Sequence, residues 1–552
     1  MQEHGPEARR YAAHILRADF GEVVEKVASR LLTHGPAALS DLVRTLQLPQ
    51  AHIKNALLVL TQQNIVESMP RTDADGSTTI TRGAHVLYKV LIDPVLFRPW
   101  FPRMLVLARE LFGNDAVLLL EQLFVCGRLS SEDLLHRAAA QYAAQHNLGP
   151  GDKREGAKLL SLHAVASQLQ AAQFICHAPV LPAALLEKEA KGLHSSQPAS
   201  HQPLPSTGGR KRKGKDLTPV LAKKPPSFNY SASTAIGVAN APIVGMLGGQ
   251  PLPSSVGNAL WRANVTRFVT EIRHQSMMSL VEDKLDLTAR ELVRFALEMQ
   301  SLANSEKPSC TAPFTIDQLL SKCGSTLDGN AASWQLVCNY MDTMCNDPLC
   351  KMASTLNGKY ILNLSEMGSA IKQLVLENAI RERFGEMPSR LYKLLLRSHA
   401  QGGGYGERKP PQKLELKQMA EMSLLPEREA RPFMMRFLRH EYVCLQEVAR
   451  SNDHNPKTTT FLWYVDLPMA YKKLEQEMLK TLCSLLARLE YEEKQQVHAF
   501  AALQTEGVAF DDFLERLTEN ERREVQLAQR KADLLNNTIL HIHHTMMLLR
   551  TV

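Results

Sequence analysis

Four arginines close together carry the clearest chemistry in this chain. Arg428, Arg431, Arg436 and Arg439 lie within Pro426–His440, at intervals that a helix gathers towards one side. Guanidinium groups grip phosphate oxygens as planar forks, so such a face suits a nucleic-acid backbone. An earlier helical stretch, Ile53–Leu60, offers Lys54 between His52 and Asn55. With one lysine and no arginine it is poorly equipped for phosphates, and docking against protein suits it better.

Other chemistries fail on spacing. Cys338, Cys345 and Cys350 match no zinc ribbon or finger, and no histidine lies near them in sequence. They read as structural thiols. His541 and His544 share a helix face but have no third ligand, and His163 stands alone. Gln401–Gly406 is glycine-rich, yet no Gly-Lys-Ser/Thr opens a helix after it. The chain has no Walker motif, Gly-x-Ser-x-Gly, His-Glu-x-x-His or dinucleotide fingerprint. The sequence therefore nominates no catalytic residue, no metal site and no cofactor.

The elements that would hold these residues are short helices followed by strands. Phe20, Val23, Val24, Val27 and Leu31 recur at helical spacing and predict one buried face. Gly35 and Pro36 stop that helix. Ala38–Leu46 is a second helix, and Pro49 opens a third whose Ile53, Ala56, Leu57 and Leu60 face inward. The chain then turns at Asn64 into Ile65-Val66. Three helices and a strand predict a winged helix, with Arg71–Thr78 as wing tip. The helix end recurs: Leu60-x-x-x-Asn64-Ile65-Val66, Leu169-x-x-x-Gln173-Phe174-Ile175 and Phe437-x-x-x-Glu441-Tyr442-Val443. Each has an apolar helix end, a polar turn residue and an apolar strand start, which predicts repeated modules.

The 552 residues are too many for one core, and a hydrophobic fraction of 44% is that of a globular protein. The predicted fold is mainly α with small β wings. Residues 9–97, 98–180, 258–365 and 366–467 read as four tandem, extended winged-helix domains. In the third, Trp261–Phe268 leads a helix; in the fourth, Pro432 kinks the third helix or marks its start. Residues 468–552 read as an antiparallel coiled-coil hairpin, since Leu535, Ile539, Ile542, Met546 and Leu549 alternate four and three apart. Residues 181–257 lose all amphipathic period and read as a disordered basic linker. Within it, Arg210, Lys211, Arg212, Lys213 and Lys215, then Lys223 and Lys224, resemble a bipartite nuclear-import signal. No run of about eighteen apolar residues predicts a membrane span. Nine scattered cysteines without Cys-x-x-Cys fit a reducing compartment. The net charge of +7 permits nucleic-acid contact without demanding it.

Several blocks resemble a known family. They are Phe20–Val27, the run Ile53-Lys54-Asn55-Ala56-Leu57-x-Val59-Leu60 ending in Asn64-Ile65-Val66, and Trp261-x-Ala263-Asn264-x-x-Arg267-Phe268. Thr311–Phe314, Asp347-Pro348-Leu349, Arg383-Phe384-Gly385 and Phe433–Gln446 add to them. Together they resemble the winged-helix subunit specific to eukaryotic RNA polymerase III. The resemblance implies four extended winged helices with a coiled coil. It implies a heterotrimer with two smaller specific subunits, docked on the polymerase clamp. It also implies recruitment through initiation factor TFIIIB and opening of promoter DNA, single- or double-stranded, in the nucleus. No catalysis is implied. The linker and the insertion at residues 401–411 depart from the family pattern. Two other readings compete on the residues alone: a free winged-helix transcription factor, and a non-transcriptional scaffold that packs through its winged helices.

Overall fold

The computed structural model describes residues 5–69, 86–146, 153–179, 260–299, 309–323, 331–347, 350–400, 413–449, 459–504 and 519–551. The basic clusters at 210–224, the first wing tip, the glycine-rich 401–406 and most of the break around Gly507 lie outside these residues. Met1–His177 and Leu260–Val552 form one unit, and Ala178–Ala259 is a separate one.

The chain opens with α1 (Pro6–Phe20) and α2 (Glu22–His34). Gly21, at φ +87°, separates them. This corrects the expected single face starting at Phe20: that residue ends α1, and Val23 is exposed while Val24, Val27 and Leu31 are buried. Next come β1 (Ala37–Ala38), α3 (Leu39–Leu46), α4 (Gln50–Gln62), β2 (Val66–Met69) and β3 (Leu87–Val90). The strands form an antiparallel sheet in the order β1-β3-β2, the arrangement of a winged helix.

The same order recurs after α5 (Ile92–Leu96) and α6 (Phe101–Phe112). It runs through α7 (Asn114–Cys126), β4 (Leu129–Ser130), α8 (Ser131–Gln145), α9 (Lys153–Ala171), β5 (Ile175–His177) and β6 (Leu260–Ala263). The sheet order is β4-β6-β5. Here the structure differs from the expected boundary. Trp261 does not lead a helix of the third module; it lies on the returning strand of the second sheet, opposite Leu129 and His177. Trp261 and Leu129 are buried while Leu260 is exposed, the alternation of a half-buried strand. The basic segment is thus inserted between two paired strands. Asn264 fixes the exit: its side-chain amide donates to Gln173 O at 2.9 Å and its backbone N–H to Phe174 O at 2.8 Å.

The long α10 (Val265–Lys284) leads into α11 (Leu287–Glu298), α12 (Ile316–Cys323), α13 (Ala331–Asn346), β7 (Ala353–Leu356) and β8 (Lys359–Leu362). β7 and β8 form a hairpin, and a bridge from Phe314 to Tyr360 supplies its third edge. This module has a hydrophobic core of its own, running from Met277 to Ile371. α14 (Leu364–Phe384) then connects to α15 (Glu386–Ala400), β9 (Leu414–Glu415), α16 (Leu416–Ser423), α17 (Glu427–Arg439), β10 (Cys444–Val448) and β11 (Thr460–Tyr464). Their sheet order, β10-β11-β9, repeats the first.

α18 (Leu467–Gln504) and α19 (Glu519–Thr551) close the chain. Arg550 pairs with Glu475, and Lys531 with Glu492 at 3.9 Å, so the two helices run antiparallel. Ile539, Met546 and Leu549 are buried in the expected seam, facing Leu474, Met478 and Leu482 in one core shared with the first, second and fourth modules.

Candidate nucleic-acid interface

The third helix of each module is where a winged helix meets its partner. Three of them end alike. Asn64, Gln173 and Glu441 all adopt positive φ, at 58°, 61° and 61°. The next N–H reaches back five residues: Ile65 to Leu60 O at 2.9 Å, Phe174 to Leu169 O at 2.9 Å, Tyr442 to Phe437 O at 3.1 Å. This is a Schellman-type cap, which satisfies orphan carbonyls and swings the chain from helix to strand. The repeated sequence signature is the imprint of that geometry.

Among the described residues, one third helix presents a basic stripe. In α17, Ala430, Met434 and Phe437 are buried against the core. Arg428, Arg431, Met435 and Arg439 then share the opposite, exposed face, with Arg436 beside them. Arg431 pairs with Glu427 at 2.8 Å, and the Arg436 guanidinium lies 5.2 Å from the Phe384 ring centroid. Arg428 and Arg439 make no ion pair with the described residues. Burial, then the Arg383 charge, holds His440 below the usual histidine range, so it adds no charge. Pro432 does not mark the start of the helix, which begins at Glu427. It sits on the exposed side inside α17, where its missing N–H leaves the Arg428 carbonyl free of a helical partner.

The other third helices are built differently. Lys54 on α4 is exposed as expected, but its neighbours on that face include Leu58, 68% exposed, and Val59. The C-terminal end of α4 is engaged elsewhere. Gln62 Nε2 donates to Cys126 O and Arg128 O at 3.0 and 2.6 Å, Gln63 Nε2 to Val125 O at 2.8 Å, and Arg128 Nε to Asn64 Oδ1 at 2.8 Å. On α9, Lys158 is tied to Asp115. α13 carries no lysine or arginine and exposes Trp334 and Leu336. Lys54 and the α17 arginines therefore belong to separate faces of separate modules.

Sequence reasoning missed the apolar company of the α17 stripe. Leu424, in the turn before α17, is 86% exposed at φ +56°, and Met422 and Met435 are also exposed. Their type suggests core; only the buried side of the fold shows otherwise. Among the described residues, no group of three or more His, Cys, Asp or Glu side chains is placed to hold an ion. Burial pushes the Cys338 and Cys345 thiols up, and that of Cys350 up to about 11. His543 shares a 2.5 Å hydrogen bond with Tyr11.

Winged-helix modules closed by a pair of antiparallel helices define a winged-helix protein. Three family models match in chain order: the RNA polymerase III subunit RPC82 helix-turn-helix domain over residues 10–68, RNA polymerase III subunit RPC82 over 187–374, and the POLR3C C-terminal winged-helix domain over 376–465. The chain is 24% identical over 560 residues to DNA-directed RNA polymerase III subunit RPC3 of Homo sapiens, covering 97% of this chain and 96% of that subunit. The subunit of Danio rerio matches at 24% over 570 residues, with the same shares covered. That of Dictyostelium discoideum matches at 24% over 51% of this chain and 41% of its own length. The chain is homologous to RNA polymerase III subunit RPC3 along nearly its whole length.

Proposed function

We propose that the chain is a non-catalytic subunit of RNA polymerase III, joined with two smaller specific subunits in a heterotrimer on the polymerase clamp. The observation that carries this reading is the near end-to-end homology to RPC3, 97% of this chain against 96% of the human subunit. In that role it helps recruit the enzyme to promoters through TFIIIB and helps open DNA at genes for small non-coding RNAs such as tRNA and 5S rRNA. It has no active site of its own. α17 is the face that meets promoter DNA, because among the described residues of the third helices it alone sets unburied arginines in a row. α4, with Leu58 and Val59 around Lys54, docks against protein. The chain works in the nucleus, with Arg210–Lys215 and Lys223–Lys224 as its import signal.

Affinity purification of the tagged full chain from nuclear extract, followed by mass spectrometry, tests the assembly. The expected result is recovery of the large polymerase III subunits with two small specific partners. Recovery of the chain alone, with tight binding to one duplex sequence, would replace this reading with a free transcription factor.

A further inference from the structure

Two arginines far apart in sequence meet across the second sheet. The register of β4 against β6 pairs Leu129 with Trp261 and Ser130 with Leu260. Arg128 directly precedes Leu129 and Arg262 directly follows Trp261, so the end of this register brings the two arginines near one another. Leu129 and Trp261 are buried, so alternation along β6 sends Arg262 to the other face of the sheet, while Arg128, just before β4, reaches the end of α4. There the Arg128 Nε donates to Asn64 Oδ1 at 2.8 Å. The Arg262 Nε is buried with no hydrogen-bond partner. The Arg262 charge, added to burial, lowers the Arg128 pKa. Among the described residues no carboxylate pairs with either guanidinium.

Like charges held close together repel, and a half-buried pair without a counter-charge is a costly arrangement to keep. An anion between the two forks removes that cost. A phosphoryl group fits best: it carries enough charge for two cations and enough acceptor oxygens for their N–H groups. We propose that Arg128 and Arg262 form a phosphate-binding clamp at the base of the second wing, and that its occupant is a backbone phosphate of DNA. The identity of the occupant rests on the reading of this chain as a DNA-contacting subunit; the clamp itself does not. It would place a backbone contact between the first two modules, well away from α17 in sequence.

The test uses the full chain and two probes. In thermal melts at matched ionic strength, inorganic phosphate should raise the melting temperature of wild type above its value in chloride. Arg262→Gln should melt higher than wild type in chloride, because the repulsion is relieved, and should lose the phosphate response; Arg262→Lys should keep part of it. An undiminished phosphate response in Arg262→Gln would overturn the clamp. The second probe is a fluorescent duplex titrated over a salt series. Arg262→Gln should make the slope of log K against log salt shallower by about 0.9, the share of one phosphate. A lost phosphate response with an unchanged slope would overturn DNA as the occupant. The α17 reading fails separately, if neutralising Arg428 and Arg439 leaves that slope untouched.

Discussion

Gly127 and Gln173 both occupy the left-handed region of backbone space, for opposite reasons. Gly127, at φ +80°, meets the carbonyl of Gln62: a Cβ there would sit 2.1 Å from Gln62 O. Nothing larger fits while the end of α4 stays hydrogen-bonded to residues 125–128. Gly127→Ala should therefore part the first two modules or strain them, at a cost of about 2–4 kcal/mol, read as a lower urea midpoint of the full chain. Gln173 holds φ +61° with an exposed side chain that touches no described hydrogen-bond partner. A left-handed non-glycine residue is strained, so Gln173→Gly should gain up to about 1 kcal/mol after the entropy of the unfolded chain is counted. Asn64→Gly should lose stability instead. Its amide donates to Gly127 O at 3.4 Å and its Oδ1 accepts from Arg128, bonds that glycine cannot make.

At the scale of elements, what is local was legible and what is not was hidden. The Schellman caps were visible as a repeated pattern because every atom of the motif lies within six residues. α17 was visible because helical spacing alone sets its arginines on the side away from Met434 and Phe437. β6 was invisible, since a four-residue strand is defined by its partners, and those lie beyond a long insertion. The Arg128–Arg262 juxtaposition depends on the same pairing and was lost with it. Long-range packing also sets histidine chemistry. Burial pulls His543 of α19, bonded to Tyr11 of α1, down to about 4, and burial with the Arg267 and Arg273 charges does the same to His274 in α10. Both folded values lie below the usual histidine value, so the unfolded chain takes up protons first as pH falls. Stability is then complete above about pH 6.5 and is lost between there and about 4. Each residue should contribute on the order of 3 kcal/mol to that loss. Comparing unfolding midpoints across this window, His543→Gln should show the shallower fall; an unchanged profile would mean that the ring is not held neutral by its burial.

Across the whole molecule, the winged helices divide their work by charge. The α4 end is spent on the neighbouring module, α13 carries no lysine or arginine, and α17 keeps exposed guanidiniums. Arg428→Gln with Arg439→Gln touches no described ion pair and no buried face. It should leave the fold intact while making the salt slope for duplex DNA shallower by about 1.8, two phosphates' worth. The insertion between β5 and β6 admits a sharper experiment, because topology and transport predict opposite signs for one deletion. Its two ends are already held together by the pairing of His177 with Trp261. Closing a loop of roughly eighty residues costs more entropy than closing a turn of about six, by about 2 kcal/mol on the logarithmic law. Replacing residues 181–257 with a short Gly/Ser turn should therefore raise the melting temperature and leave the β4-β6-β5 sheet in place. The same deletion removes Arg210–Lys215 and Lys223–Lys224, so the tagged chain should lose nuclear accumulation. Restoring the basic clusters alone within a short loop should return the chain to the nucleus at little cost in stability. A deletion that unfolds the second module would instead mean that the insertion is part of its core, and one that stays nuclear would remove the import role from these lysines and arginines.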